Sequence, residues 1–184
     1  PGGNSVSTAE HAISLMMSMA RNVPQANAST RGGKWEKSKF LGVELTGKTL
    51  GVVGLGRIGK EVVKRAKGLR MRVIGYDPFI PPANLANLEI DIVSREEILK
   101  QADFVTVHTP LTETTKDFVS KENLSQIKKG IRLINCARGG IYNEDALAQG
   151  LSDGTIAAAA LDVFVQEPVA ADHPLLKLEN CIVT

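Results

Sequence analysis

Three glycines and one aspartate have the types and spacing of a phosphate-binding loop. Gly54, Gly56 and Gly59 directly follow the apolar run 49–53, and Asp77 closes the next apolar run. In such a loop the first glycine permits a tight turn, the second lets the backbone approach a pyrophosphate, and the third allows close packing of helix on strand. The N-terminus of the following helix offers free N–H groups and a positive dipole end to phosphates. The spacing therefore predicts a dinucleotide site.

Asp77 narrows the choice of dinucleotide. A carboxylate at this point is placed to accept hydrogen bonds from both ribose hydroxyls of the adenosine, and its charge would repel a 2′-phosphate. NAD is therefore favoured over NADP. A glycine-rich turn with an ordinary capping aspartate is the alternative, but four residues in register argue against it. A P-loop is excluded because no G-K-[ST] follows at the right place.

Apolar runs that must position this loop recur along the chain after residue 48. They lack the alternation of half-buried strands, as expected for strands covered on both faces in a parallel sheet. The runs are "TLGVV", "MRVIGY", "DFVTVH", "IRLINC", "IAAAALDV" and "NCIVT". We also expect a short edge strand at "IDIV", residues 90–93.

Helical patterns separate most of these runs. We predict helices over 58–69 and over 95–101, the latter with a capping box formed by Ser94 and Glu97. A third is expected to begin near Ser120. A fourth is predicted over 144–151, with Asn143 as its N-cap and Gly154 after its end. The alternation predicts an α/β fold, a doubly wound parallel sheet with helices on both faces.

Residues 1–48 do not follow the alternation and are predicted to form a leading helix and a connector before a core over 49–184. Ser7 and Glu10 have capping-box spacing, and strongly apolar residues follow at helical spacing up to Pro24. The rest of the segment, rich in Gly and Lys, is expected to be irregular and anchored by Trp35 and Phe40.

Composition limits the classes of function. The chain has 184 residues, 43% of them hydrophobic, which suits one good-sized core. With 22 Lys and Arg against 20 Asp and Glu, interspersed, no basic stripe indicates nucleic acid. The early apolar stretch 12–20 is too short to span a membrane, so we expect a cytoplasmic protein. Cys136 and Cys181 are expected to be reduced, and no metal site is expected.

Five motifs in order make the chain resemble a known family. They are "GKTLGVVGLGRIGKEV", "GYDP", "VTVHTPLTETT", "NCARGGI" and "ALDVFVQEP". In this order they are similar to the nucleotide-binding domain of D-isomer-specific 2-hydroxyacid dehydrogenases. The resemblance covers essentially the whole chain and implies a Rossmann-like fold, NAD as cofactor and a small 2-hydroxy acid as the substrate of the whole enzyme.

The resemblance also implies contacts with each part of the cofactor. Besides Gly54, Gly56, Gly59 and Asp77, it gives the residues expected at the pyrophosphate, beside the adenine half, on the nicotinamide side and near the carboxamide. Arg57 and Ile58 are expected at the pyrophosphate, and His108, Thr109 and Pro110 beside the adenine half. Cys136, Ala137 and Arg138 are expected on the nicotinamide side, and Asp162 near the carboxamide.

Two residues are implied to be catalytic. In the family, the arginine of "CARGG" holds the carboxylate and carbonyl of the substrate, and the glutamate of "EP" orients a proton-transferring histidine; here these are Arg138 and Glu167. His108 is rejected as the base, because its motif lies on the adenine side. His11 and His173 are expected to be structural.

The proton-transferring histidine of the family follows the last strand in a "PH" pair, which residues 1–184 do not include. We therefore expect these residues to be a cofactor domain that lacks the substrate domain and does not turn over by itself. Two classes of function stay open. One is the cofactor domain of a dehydrogenase, whichever 2-hydroxy acid its substrate is. The other is a dehydrogenase-like, NAD-sensing transcriptional corepressor, in which partner recruitment is the function.

The leading helix predicts a partner. Its apolar residues, including Met16 and Met17, occupy more than one face, which exceeds what one sheet face covers. In the resembling family two cofactor domains pair through this region, so we expect a homodimer, which a charge at Met16 or Met17 should split. The alternative is a helix buried between its own domain and the substrate domain, without a specific dimer.

Overall fold

Seven parallel strands form one sheet in the computed structural model, which describes residues 3–184. The sheet order is β3-β2-β1-β4-β5-β6-β7. The strands are β1 (Thr49–Val53), β2 (Arg72–Tyr76), β3 (Asp91–Ile92), β4 (Phe104–Val107), β5 (Ile131–Asn135), β6 (Ile156–Leu161) and β7 (Cys181–Val183). The order reverses between β1 and β4, and the predicted doubly wound fold is thereby confirmed.

Residues 3–184 form five α-helices, and all but the second pack on the sheet. They are α1 (Ser5–Ala20), α2 (Val23–Arg31), α3 (Arg57–Gly68), α4 (Arg95–Gln101) and α5 (Glu144–Asp153). One apolar cluster joins Met16 of α1 and Val62 of α3 to one face of the sheet. A second cluster joins Ile98 of α4 and Leu147 of α5 to the other face. Helices therefore lie on both faces, as the uninterrupted apolar strands predicted.

Local signals located most elements correctly. The edge strand β3 pairs with β2, as expected of "IDIV". Ser94 caps α4 by accepting a hydrogen bond from the Glu97 backbone N–H at 3.2 Å. Asn143 caps α5 in the same way through the N–H of Ala146, and Gly154 ends that helix in the left-handed conformation.

The prediction of a helix that begins near Ser120 was wrong. The side chain of Asn123 accepts a hydrogen bond from the Ser120 backbone N–H and donates to the carbonyl of Phe118, which folds the chain into a turn. Only a short 3₁₀ helix, Leu124–Gln126, follows. The connection from β4 to β5 is therefore a long, packed loop.

The leading segment also differs from the prediction. Helix α1 begins at Ser5, three residues earlier than a capping box with Ser7 as N-cap implied, and the Ser7 hydroxyl donates to the Asn4 carbonyl instead of capping. The connector contains the helix α2, with Pro24 in its first turn. No residue of α2 is buried, so it lacks the apolar face by which a helix is recognised in a sequence.

Candidate cofactor site

The carboxyl ends of β1 and β4 lie side by side where the strand order reverses. The backbone N–H of His108 donates to the Val53 carbonyl at 2.7 Å, which ties the two strand ends together. In open α/β sheets the crevice at this point is where ligands bind, because the loops on either side diverge to opposite faces. The loops after β1, β2, β4, β5 and β6 all open at this edge of the sheet.

The glycine loop connects β1 to α3. Gly54 has φ of +92°, and a Cβ there would lie 2.5 Å from the His108 carbonyl oxygen. A Cβ at Gly59 would lie 1.9 Å from the Gly54 carbonyl oxygen, so α3 can approach the loop only without a side chain. A Cβ at Gly56 would meet no atom within 4 Å. Two of the glycines are thus required by the fold, whereas the space beside Gly56 is open to a ligand.

Arg57 and Ile58 form the first turn of α3. Ile58 is partly buried against the apolar cluster beneath the helix. The first turn of α3 directly follows Gly56, beside which the space is open, and the N-terminus of a helix offers backbone N–H groups and a positive dipole end to an anion. The turn therefore has the features of an anion-binding helix N-terminus.

Asp77 follows β2 and lies beside the glycine loop. One carboxylate oxygen, Oδ2, accepts the Leu55 N–H at 2.6 Å. The other, Oδ1, accepts the N–H groups of Phe79 at 2.7 Å and Ile80 at 3.0 Å. A carboxylate offers about four acceptor positions. Three are used to fix its orientation, and one remains for a ligand hydroxyl.

His108, Thr109 and Pro110 follow β4. His108 Nε2 lies 2.9 Å from the Thr106 hydroxyl, and burial lowers the pKa of the ring to about 4. A ring held neutral in this way is a poor general base at pH 7. Its Nδ1 and the hydroxyl oxygen of Thr109 are buried and have no hydrogen-bond partner within residues 3–184.

The loop after β5 carries Cys136, Ala137 and Arg138. Burial, with a smaller contribution from Asp162, raises the pKa of the Cys136 thiol to about 12, so the thiol stays protonated. The Arg138 guanidinium is exposed, and its Nη1 donates to the Ala137 carbonyl. The buried side chain of Asn135 accepts the Ala137 N–H at 2.9 Å and donates to the Arg138 carbonyl at 2.8 Å.

Asn135 was not singled out from the sequence. An asparagine that ends a strand and precedes a glycine pair is typical of a side chain that bonds its own turn. That signal was present in "NCARGG".

Asp162 follows β6 and is held from two directions. Its Oδ1 accepts the Thr184 hydroxyl at 2.8 Å and lies 3.3 Å from Nε2 of His11 on α1. His11 Nε2 is also 3.2 Å from the Thr184 hydroxyl oxygen. The leading helix therefore reaches the same end of the sheet as the cofactor loops.

Glu167 is exposed at the end of the same loop. Its Oε1 accepts the Phe164 N–H at 3.1 Å. A Cβ added at Gly139 would lie 2.0 Å from the Phe164 carbonyl oxygen, so the loops after β5 and β6 are in direct backbone contact. The loops that carry Arg138 and Glu167 are thus brought together.

A second contact between a histidine and a carboxylate at these loops was not predicted from the sequence. Nε2 of His173 lies 3.0 Å from Oε2 of Glu144, the first residue of α5. Glu144 Oε1 accepts the Val165 N–H at 2.7 Å. His173 precedes the 3₁₀ helix Pro174–Lys177 as its N-cap. The two side chains are 29 residues apart in the sequence, and no motif or periodic spacing links them.

These residues fit a bound NAD. The open space at Gly56 beside the first turn of α3 is where a pyrophosphate would lie, and the one acceptor position left on Asp77 would suit a ribose hydroxyl. The buried, unpaired atoms of His108 and Thr109 add polar groups at the same crevice. Within residues 3–184 there is no group of three His, Cys, Asp or Glu side chains able to hold a metal ion.

The fold and the crevice define a dinucleotide-binding domain of the Rossmann type. Residues 13–184 match the family model described as D-isomer specific 2-hydroxyacid dehydrogenase, NAD binding domain. The chain therefore belongs to the D-isomer-specific 2-hydroxyacid dehydrogenase family, and it is an NAD-binding domain of that family.

Relatives and solved structures agree. D-3-phosphoglycerate dehydrogenase 2, chloroplastic, of Arabidopsis thaliana is 52% identical over 184 residues, which cover 100% of this chain and 30% of the relative. The human D-3-phosphoglycerate dehydrogenase is 50% identical over 182 residues, 99% of this chain and 34% of the relative. The chain thus spans about a third of the length of these relatives.

A solved NAD-dependent formate dehydrogenase from Staphylococcus aureus, in complex with NAD, superimposes with a TM-score of 0.91. It is 35% identical, and the match covers 100% of this chain and 55% of that one.

Within the described part of our chain, no helix combines the length and the apolar character needed to cross a membrane.

Proposed function

We propose that this domain serves a D-3-phosphoglycerate dehydrogenase, which oxidises 3-phosphoglycerate to 3-phosphohydroxypyruvate with NAD in serine biosynthesis. The observation that carries the proposal is the identity of about half of all residues, over the whole chain, to D-3-phosphoglycerate dehydrogenases of a plant and of an animal. This favours a dehydrogenase over a corepressor of the same fold.

Each half of the cofactor has its own residues in this proposal. Gly56 and the first turn of α3, with Arg57 and Ile58, take the pyrophosphate, and Asp77 takes the adenosine ribose. The segment His108 to Pro110 borders the adenine half. On the other side, Cys136, Ala137 and Arg138 border the nicotinamide, and Asp162 receives its carboxamide. When bound, NAD supplies the hydride acceptor.

Arg138 and Glu167 act on the substrate side. The planar guanidinium of Arg138 offers two parallel N–H donors to a carboxylate, so it orients the α-carboxylate and the neighbouring oxygen of the 2-hydroxy acid. The Glu167 carboxylate orients the histidine that, by the family resemblance, follows β7 and takes the hydroxyl proton. The contact of Gly139 with Phe164 keeps the two loops together and supports these joint roles.

The activity is tested in a chain that carries these residues together with a substrate domain. We expect NAD reduction with 3-phosphoglycerate, and a large loss of turnover in Arg138→Lys, because lysine keeps the charge but not the fork. Turnover of glyoxylate or hydroxypyruvate, without turnover of 3-phosphoglycerate or 3-phosphohydroxypyruvate, would identify another 2-hydroxyacid dehydrogenase. No turnover with any of them would favour a binding function.

Cofactor choice is tested in the 184-residue chain itself by calorimetric titration with NADH and NADPH. We expect NADPH to bind much more weakly, because its 2′-phosphate would face the Asp77 carboxylate. Asp77→Asn removes that charge and should narrow the difference by about tenfold or more, equivalent to roughly 1.4 kcal/mol. Equal affinities for the two cofactors in the unchanged chain would contradict the role of Asp77.

We further propose that the domain pairs with a second copy through the leading segment. Five of the nine exposed large apolar residues of the described chain lie within its first 41 residues: Val6, Met17, Val23, Trp35 and Leu41. Such a concentration of exposed apolar surface marks an interaction site.

A further inference from the structure

The segment from Phe164 to Glu167 is held from outside by two side chains. Val165 donates its N–H to Oε1 of Glu144 at 2.7 Å, so this backbone group is bound to helix α5. Glu144 Oε2 accepts from Nε2 of His173 at 3.0 Å. Both side chains are only one-fifth exposed, at 20% each. One carboxylate at the start of α5 therefore binds two separate points, Val165 and His173, of the connection between β6 and β7.

The tautomer of His173 is fixed by its other nitrogen. Nδ1 accepts the Leu175 N–H at 3.3 Å, so Nδ1 carries no proton in the neutral ring. The ring proton must then lie on Nε2, where it is donated to Glu144. The edge of the ring also packs on Phe164, with centroids 5.5 Å apart at 72°. His173 thus contacts the segment directly and through Glu144.

The segment so held carries the proposed carboxylate. The Phe164 N–H donates to Glu167 Oε1 at 3.1 Å, and the Phe164 carbonyl lies against Gly139, next to Arg138. A shift of Phe164 and Val165 would therefore move Glu167 and loosen the contact between the two substrate-side loops. Glu144 and His173 contact neither Arg138 nor Glu167 in any hydrogen bond of the described chain, so their effect is indirect.

We propose that Glu144 and His173 form a positioning pair that fixes the 164–167 segment at the nicotinamide end of the cofactor site. The inference rests on the proposed function, since it assigns that end to the loops after β5 and β6. A glutamate in the first turn of a helix also stabilises the helix dipole. That contribution would change stability alone, whereas a positioning pair affects the two halves of the cofactor unequally.

ADP-ribose, which lacks the nicotinamide ring, separates the two effects. In the 184-residue chain, Glu144→Gln replaces one of the two accepting oxygens by an N–H₂ donor, so either Val165 or His173 then faces a donor instead of an acceptor. We expect NADH affinity to fall by about threefold to tenfold while ADP-ribose affinity is unchanged. Amide hydrogen exchange at Val165 should accelerate in the same variant.

The chain offers a matched control in the same turn of α5. Asp145 is the neighbouring carboxylate, exposed and paired with Lys121. Asp145→Asn removes the same charge near the helix N-terminus without a contact to the 164–167 segment, so it should leave both affinities and the Val165 exchange rate unchanged. His173→Gln keeps an N–H donor and should retain most of the NADH affinity, whereas His173→Leu should resemble Glu144→Gln.

Three results would overturn the inference. These are an equal fall of NADH and ADP-ribose affinity in Glu144→Gln, a variant that binds both like the unchanged chain, and an unchanged chain that binds NADH no more tightly than ADP-ribose. Failure of the proposed function has a different signature. It would appear as absent turnover of 3-phosphoglycerate in the longer chain while the split between NADH and ADP-ribose persists.

Discussion

The three glycines of the cofactor loop are constrained for different reasons. At Gly54 and Gly59 the constraint lies within the protein, because a Cβ would collide with the carbonyl oxygens of His108 and Gly54. At Gly56 nothing in the described chain fills the space a side chain would take. A substitution at Gly59 should therefore damage the fold, whereas one at Gly56 should damage only binding.

Gly56→Ala and Gly59→Ala test this distinction. In Gly56→Ala we expect the thermal midpoint to change little and NADH affinity to fall by at least about tenfold, because the methyl group occupies the space assigned to the pyrophosphate. Gly59→Ala should lower the free energy of unfolding by about 1–3 kcal/mol or more, since overpacking forces the backbone to shift. Calorimetry and fluorescence titration measure the two effects. Full NADH affinity in Gly56→Ala would place the pyrophosphate elsewhere.

His108 makes the stability depend on pH. Because its folded-state pKa, about 4, lies below the ordinary value of 6.5, the folded protein binds fewer protons than the unfolded chain between these pH values. The stabilisation is fully present above pH 6.5 and is lost as the pH falls toward 4. The shift corresponds to a contribution of about 3 kcal/mol.

His108→Gln should remove this dependence while keeping a group able to bond Thr106. Denaturant unfolding at several pH values between 7 and 4.5 gives the free energy of unfolding of both proteins. We expect the unchanged chain to lose more stability than the variant on acidification. Plots of the free energy of unfolding against pH for the two proteins should therefore have different slopes and converge or cross at low pH. Parallel curves would show that His108 is not held neutral by burial.

At the scale of elements, the strands and four of the five described helices followed from local sequence patterns, although α1 begins earlier than predicted. Each strand is an uninterrupted apolar run because it is covered on both faces, and α4 and α5 begin at side chains that cap them. The failures have the same origin. Helix α2 buries no residue, so no apolar pattern indicated it. At Ser120 the sequence resembled a helix start, but the side chain of Asn123 binds the Ser120 N–H and holds the chain in a turn.

The candidate site divides in the same way. Residues placed by a single strand end, such as Asp77 and Arg138, were predictable, because the carboxyl ends of parallel strands meet at one edge. The contacts that hold them were not. Glu144 with His173, and His11 with Asp162, join segments far apart in the sequence, and only the packed fold brings them together.

Helix α4 offers a test of a local signal. Ser94→Ala removes the acceptor of the Glu97 N–H and should cost about 1 kcal/mol of stability. For a domain of this size that lowers the thermal midpoint by about 2–4 °C. Ser94→Asn restores a capping oxygen and should recover most of the loss. A midpoint unchanged in Ser94→Ala would show that packing of Ile98 and Leu99 alone fixes the start of α4.

At the scale of the molecule, the apolar surface of the leading segment is unevenly divided. The sequence placed Met16 and Met17 together as interface candidates, and the structure separates them. Met16 is 1% exposed and packs in the cluster of α1 and α3, whereas Met17 is 44% exposed. A charge at Met16 would therefore disrupt the fold, so the expectation that it would split a dimer cleanly was wrong for that residue. Trp35 and Leu41 remain exposed on the connector, at 74% and 79%.

Met17→Glu is thus the variant that tests the pairing of two copies. We expect the unchanged chain to sediment as a dimer in the micromolar range, and Met17→Glu to sediment as a monomer with unchanged NADH affinity, because burying an unpaired carboxylate in an apolar interface is strongly unfavourable. Leu111→Glu introduces the same charge at a leucine of matched exposure, 45%, in the loop after β4, and should leave the dimer intact. A monomer of the unchanged chain, or open-ended association without a dimer plateau, would contradict the two-fold pair. Equal dissociation by both substitutions would place the interface outside the leading segment.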